Sequence, residues 1–184
     1  MLECILNTNK SPATLSSASN SPLSVYSNPT RGSFKCNFEL NSVVISFEVP
    51  SNLKNQYTFK AGQYLTLSSN INGENVKRSY SICSSPQSQN LQVGVKAIEN
   101  GIFSNYVNDA LREGDSIEVS APEGRFVLEN NNQGNYCAFV AGSGITPLMS
   151  IIPDVLDNNE NSIFVLGYGN KPRPVQCFQT LLMS

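Results

Sequence analysis

There is no histidine among these 184 residues, and charge is scarce, with Lys, Arg, Asp and Glu making up 14% of the chain. Without histidine, no Ser–His or Cys–His nucleophile can be assembled, and most zinc sites are excluded. The formal net charge of −2 gives no basic face, so a general nucleic-acid binder is excluded as well. No apolar run approaches the roughly 18 residues that a membrane-spanning helix needs. The first residues lack a basic start followed by an apolar core, so no secretory signal is expected. Cysteines are few and scattered: Cys4, Cys36, Cys83, Cys137 and Cys177 never reach a CxxC or iron–sulfur spacing. No metal site is expected. The cysteines read as small core residues of a reduced, cytoplasmic protein.

What is present suits a globular protein: hydrophobic residues make up 40% of a chain long enough for one well-buried domain with material left over, or two small ones. Residues 1–32 are rich in Ser, Asn and Pro without a sustained period, and are expected to form a disordered leader. Alternation begins in Ser42-Val43-Val44-Ile45-Ser46-Phe47-Glu48-Val49, where Ser46 and Glu48 face away from the apolar odd positions. That is the pattern of a half-buried strand. Tyr64-Leu65-Thr66-Leu67-Ser68 repeats it, followed by the turn signal Asn72-Gly73. Leu91, Val93, Val95 and Ala97 alternate with polar or small neighbours. Ile117 and Val119 form another strand, and Phe126 to Leu128 one more. Short alternating strands with turns between them indicate an antiparallel barrel or sandwich.

One helix is expected inside this region, with Phe103, Val107, Ala110 and Leu111 on one face and Gly114 as its stop. Residues 130–135 read as a linker, and beyond it the pattern changes. Tyr136-Cys137-Ala138-Phe139-Val140-Ala141 is continuous and apolar, as in a strand buried on both faces of a parallel sheet. Thr146-Pro147 supplies an N-cap and first turn, and Leu148, Ile151, Ile152, Val155 and Leu156 follow at helical spacing. Pro153 is expected to kink that helix. Ser162 to Gly167 is a second buried strand. Strand, glycine loop, helix and strand make one βαβ unit.

Three segments carry chemistry. Arg78-Ser79-Tyr80-Ser81 lies on a strand that puts Arg78 and Tyr80 on one face. A guanidinium can bond two diphosphate oxygens at once, and a tyrosine ring can lie against a flat heterocycle. Gly101-Ile102-Phe103-Ser104 opens the helix, whose free N–H groups and positive dipole end favour phosphate. Gly142-Ser143-Gly144-Ile145-Thr146-Pro147 joins a buried strand to a helix, the context that a dinucleotide loop requires. Alone, each also fits a structural reading: a barrel strand with a surface arginine, a simple cap, a glycine turn.

In this order, Arg-x-Tyr-Ser, Gly-x-x-Ser and Gly-x-Gly-x-Thr-Pro resemble the ferredoxin–NADP⁺ reductase superfamily, as do Val95-Lys96 and Pro122-Glu123-Gly124-Arg125-Phe126. The stretches Arg78 to Ser84 and Gly101 to Tyr106 look most like the reductase subunits of phenylacetyl-CoA epoxidases. The resemblance implies an antiparallel Greek-key β-barrel that binds FAD over residues 33–130. The first βαβ unit of an α/β nucleotide-binding domain would follow over 135–184. It implies that Arg78 holds the FAD pyrophosphate, Tyr80 packs on the isoalloxazine and Ser81 hydrogen-bonds near its reactive nitrogen, with Ser79 and Gly101 also among the cofactor-binding positions. Val95 and Lys96 would line the phosphate–ribose region. Ile102, Phe103 and Ser104 would offer their N–H groups, and Ser104 its hydroxyl, to the pyrophosphate. Gly142, Gly144 and Thr146 would sit where nicotinamide and flavin meet, so Tyr80, Ser81 and Thr146 stand nearest the reaction. The implied activity is FAD-dependent oxidation of NAD(P)H for oxygenase subunits.

Two departures shape the remaining expectations. The Cys-Gly-Pro segment of the family's nucleotide domain and the ferredoxin domain of the epoxidase reductases are not found in this sequence, and Pro172 to Ser184 departs from the family pattern. The chain is therefore expected to be a truncated member that holds NAD(P)H weakly and carries no iron–sulfur cluster. A flavin-binding module without turnover is the alternative. With only two strands and one helix, the apolar faces around Phe139 and Val165 are expected to be partly exposed.

Overall fold

The computed structural model describes residues 2–7, 42–128, 134–158, 162–169 and 179–183. Its larger unit is a six-stranded antiparallel sheet made of β1 (Leu2–Asn7), β2 (Ser42–Glu48), β3 (Tyr64–Ile71), β4 (Glu74–Ser81), β5 (Leu91–Lys96) and β6 (Ser116–Val119), in the order β4-β3-β6-β1-β2-β5. The period-two pattern of the sequence is what the sheet buries. In β2, Ile45 (0% exposed) and Phe47 point into the core while Glu48 is exposed, and Ile45 lies opposite the equally buried Val93 of β5. The β3–β4 hairpin turns at Asn72 and Gly73, both with positive φ (53° and 88°), as a tight two-residue turn with the native strand twist requires. At the opposite end the two edge strands converge. Ile82, just past β4, bridges Val93 of β5, and the Cys83 N–H donates to the Gln92 carbonyl at 2.9 Å. Helix α1 (Ile102–Asp109) covers this core with Phe103, Val107 and, just beyond its end, Leu111, all within 1% of complete burial.

The second unit is a βαβ crossover: β7 (Tyr136–Ala141), a 3₁₀ turn (Gly142–Gly144), α2 (Ile145–Asn158) and β8 (Phe164–Gly169), with β7 and β8 parallel. A further strand, β9 (Gln179–Met183), pairs antiparallel with β8. The apolar stripe of α2 (Leu148, Ile151, Ile152, Val155) packs with Phe164 and Leu166 of β8 and with Ala61 from the larger unit. No helix of the described residues is long and apolar enough to cross a membrane.

Several sequence expectations are corrected. Leu2–Asn7 is not leader but a strand that fills the gap between β6 and β2, whose backbone edges would otherwise be unpaired; the remainder of the expected leader lies outside the described residues. Phe126 to Leu128 forms no strand. Gly124 takes a φ of 122°, and the chain then runs against Gly62, whose missing side chain makes room for the Phe126 carbonyl. Ala110 is exposed, and α1 ends there without a glycine; Gly114 serves the next turn. Thr146 is not an N-cap, because α2 begins at Ile145, directly after the 3₁₀ turn. Pro153 does lie inside α2, as the sequence placed it. β7 is covered on one face only: Tyr136, Ala138 and Val140 face α2, whereas Cys137, Phe139 and Ala141 are exposed, Phe139 at 73%. Cys137 is accordingly no core residue, and Cys83 is half-buried.

Gly62 and Gly73, both at positive φ, give a contrast in cost. Gly62→Ala would meet both backbone strain (φ 95°) and the Phe126 carbonyl, and should lower stability by about 3 kcal/mol or more. Gly73→Ala has the same strain in open space and should cost about 1 kcal/mol. Urea unfolding of both variants checks this, and equal losses would mean that the Phe126 carbonyl does not approach Gly62.

Candidate functional site

Strand β4 and the start of α1 are brought together by one aromatic contact. Phe103, 1% exposed, has its ring centroid 5.9 Å from that of Tyr80 and 6.4 Å from that of Tyr106. The sequence permits this because Phe103 is the second residue of an amphipathic helix and Tyr80 occupies a half-buried position of the edge strand. Arg78 stands two residues along β4. It is exposed, and its Nη1 donates to the Lys77 carbonyl at 2.7 Å, which leaves further guanidinium N–H donors of the fork. Burial raises the Tyr80 phenol above its ordinary pKa of 10.0, and the positive charge of Arg78 works against that rise. Ser79 shares a 3.0 Å hydrogen bond with Thr66 across the strand pair, and Ser81 is half-buried opposite Tyr64.

The N-terminus of α1 is open. Gly101 is its cap residue and no side chain caps the helix, so the first N–H groups remain available to an anion. Asn100 (φ 60°) and the Gly101 N–H, bonded to the Ile98 carbonyl at 2.9 Å, make the tight turn that leads in. The Ser104 hydroxyl is buried in that turn. It accepts from the Ile98 N–H at 3.3 Å and donates to the Gly101 carbonyl at 3.4 Å. An added Cβ at Gly101 would overlap this hydroxyl, so the glycine and the serine need each other. Ile102 is exposed. Val95 is fully buried in the core and can meet a ligand only through its backbone, while Lys96 is exposed at the end of β5. A groove of about 430 Å³ runs from Gly101 and Ile102 along α1 past Asn105 and Tyr106 to Asn72 of the β3–β4 turn.

The glycine loop lies on the second unit. Gly142 has a φ of 53° and is exposed; Gly144 and Thr146 are half-buried. Helix α2 ties this loop to the β4 side through Ser84, the end of one motif stretch, and through residues outside the motifs. The Ser150 hydroxyl, 0% exposed, donates to the Ser84 carbonyl at 2.6 Å. The Gln87 side-chain amide donates to Asp154 at 2.6 Å. A serine between Leu148 and Ile151 on a buried helical stripe was the available signal, since a polar group so placed must find a partner. Among the described residues, no three His, Cys, Asp or Glu side chains come together as a metal site.

The chain is similar to known proteins. Residues 35–128 match the oxidoreductase FAD-binding domain model. The chain is 42% identical to a 1,2-phenylacetyl-CoA epoxidase component from Escherichia coli (strain K12) over 144 residues, 77% of this chain and 40% of that one. It is 38% identical to the flavohemoprotein of Bacillus subtilis (strain 168) over 105 residues, 56% of this chain and 26% of that one. Among solved structures, phthalate dioxygenase reductase is similar with a TM-score of 0.58 and 27% identity, over 72% of this chain and 40% of that one. The chain thus spans less than half the length of these relatives.

Because folding raises the Tyr80 pKa, the folded state holds that proton more tightly than the unfolded chain does. Its contribution to stability is complete below the unfolded tyrosine pKa and is lost as pH rises through the raised folded value. Tyr80→Phe should therefore flatten the alkaline fall in stability, measured as urea midpoints above and below pH ~10.

Proposed function

Since the chain belongs to the oxidoreductase FAD-binding domain family, we propose that it is the flavin-holding part of an FAD-dependent NAD(P)H oxidoreductase. We read it as the electron-transfer reductase component of an oxygenase of the phenylacetyl-CoA epoxidase type. The observation that carries this reading is the meeting of the Arg78–Ser81 strand with the uncapped start of α1, held by Phe103 against Tyr80. The six-stranded sheet is read as the FAD-binding barrel, whose edges β4 and β5 approach at the bridge between Ile82 and Val93. The barrel spans residues 33–130, with β1 added from the N-terminal side, and the nucleotide-binding part spans 135–184.

The donor set fits a dinucleotide. An exposed guanidinium and the uncapped N–H groups of Ile102, Phe103 and Ser104 form two anion-binding groups beside one aromatic face, which suits a diphosphate attached to a flat ring. Arg78 holds the pyrophosphate from the strand side and the start of α1 holds it from the helix side. The Ser104 hydroxyl acts indirectly, by fixing the Ile98–Gly101 turn that presents those N–H groups. Tyr80 flanks the isoalloxazine and Ser81 hydrogen-bonds at its edge, while Lys96 adds positive charge near the ribose–phosphate region. Bound FAD supplies hydride acceptance from NAD(P)H and onward electron transfer. Gly142, Gly144 and Thr146 keep the backbone close to the nicotinamide and exclude water. The partners are small-molecule cofactors and oxygenase subunits, and the scattered cysteines suit the cytoplasm. A flavin-binding module without turnover is the second reading, favoured by the open outer face of β7 at Phe139.

The purified chain should show a flavin absorbance spectrum that bleaches on anaerobic addition of NADH or NADPH. A spectrum that stays oxidised with both selects the second reading, and a chain that takes up no flavin sinks both. Arg78→Ala should weaken FAD binding about ten- to a hundredfold, the loss of one or two charge-assisted hydrogen bonds, measured by flavin fluorescence titration.

A further inference from the structure

We infer that Ser150 is a positioning residue for hydride transfer: its buried hydroxyl clamps α2 to the loop after β4 and so sets the gap between the flavin strand and the nicotinamide loop. The inference rests on the oxidoreductase reading proposed for the same site.

The geometry is short on both sides of the clamp. On the α2 side, Ser150 follows Thr146 by four residues, one helical turn, so it lies on the same face about 6 Å deeper. On the sheet side, Ser84 follows Ser81 by three residues, at most about 10 Å of extended chain. The 2.6 Å hydrogen bond from Ser150 to the Ser84 carbonyl is therefore a strut between the two groups that must face each other in the reaction. Both ends are fixed. Ser150 is 0% exposed, inside the stripe of Leu148, Ile151 and Ile152. Ser84 is 7% exposed and is itself tied to β5, its hydroxyl donating to the Asn90 carbonyl at 2.6 Å and accepting from the Gln92 N–H at 3.1 Å.

The clamp uses the backbone carbonyl of Ser84 and the side chain of Ser150, so only the Ser150 hydroxyl has to be retained for it to form. Nearby, Gln87 and Asp154 add an exposed second contact between the same two segments at 2.6 Å, and the Ala61–Gly62 turn packs on Ile151. Misplacement by about 1 Å is enough to slow a transfer step about a hundredfold, so a strut that loosens without breaking the fold should be visible in the rate.

The test compares wild type, Ser150→Ala and Gln87→Ala, each as the full chain. Hydrogen exchange read by mass spectrometry should rise about tenfold in Ser150→Ala in two segments at once, residues 82–92 and 142–150, with β2, β3 and α1 unchanged. FAD affinity should stay within about twofold of wild type, while flavin reduction at saturating NADH slows tenfold or more. Gln87→Ala, which disturbs no buried group, should move the same readouts in the same direction by less. Exchange that rises in α2 alone, or a reduction rate equal to that of wild type, would overturn the positioning role. Wild-type chain that takes up no flavin would overturn the oxidoreductase reading instead, and the exchange pattern would still decide whether the clamp exists.

Discussion

The contact between Phe103 and Tyr80 is the constraint on which the rest of the site depends. Phe103 is the largest of the fully buried side chains, and a buried aromatic contributes several kcal/mol through area alone. Because it occupies the second position of α1, its burial fixes the helix by its N-terminal end. The uncapped N–H groups are therefore held next to a fully buried anchor. Tyr80 meets the same ring from β4, with Arg78 two residues along that strand. Apolar packing, through Phe103 and Tyr80, is what joins the strand of the guanidinium to the helix.

Much of this was legible in the sequence because the signals were local. The alternation in Ser42–Val49, the Asn72-Gly73 turn and the apolar face of α1 at Phe103, Val107 and Leu111 each depend on a few neighbouring residues, and each appears where it was expected. The elements that were missed depend on distant partners. Leu2–Asn7 is a strand because β2 and β6 leave a gap of matching width, and neither strand is near it in sequence. Its six residues adjoin a polar stretch that hides their pattern. The error at Phe126 to Leu128 has the same origin. Its apolar residues look like a strand, but the backbone there is committed to the space over Gly62, a contact between positions far apart in the chain.

The site divides along the same line. Arg78, Tyr80 and the Gly101 turn stand out in the sequence because each residue type suits the chemistry proposed for it. Ser104 was readable as a position but not as a role, since its hydroxyl serves the turn and not the outside of the helix. Val95 shows the same limit: its place on β5 follows from alternation, and that alternation also buries its side chain. Ser150 and Gln87 carry no motif, and Ser84 only closes one. Their importance comes from two units meeting, which no window of sequence displays.

That meeting place is slender. Ala61 and Gly62 on one side, Ile151 and Ser150 on the other, and one exposed amide–carboxylate contact make up much of the seam. Small seams open more readily than cores, because few apolar groups are lost when they part. The hydride transfer proposed here would not tolerate a loose seam, yet apolar packing is not directional. A buried hydroxyl bonded to a backbone carbonyl is directional, and in dry surroundings it costs more to break than an exposed one. The sequence thus places its one polar residue on the buried stripe of α2 where packing alone would leave the relative position of the two units under-determined.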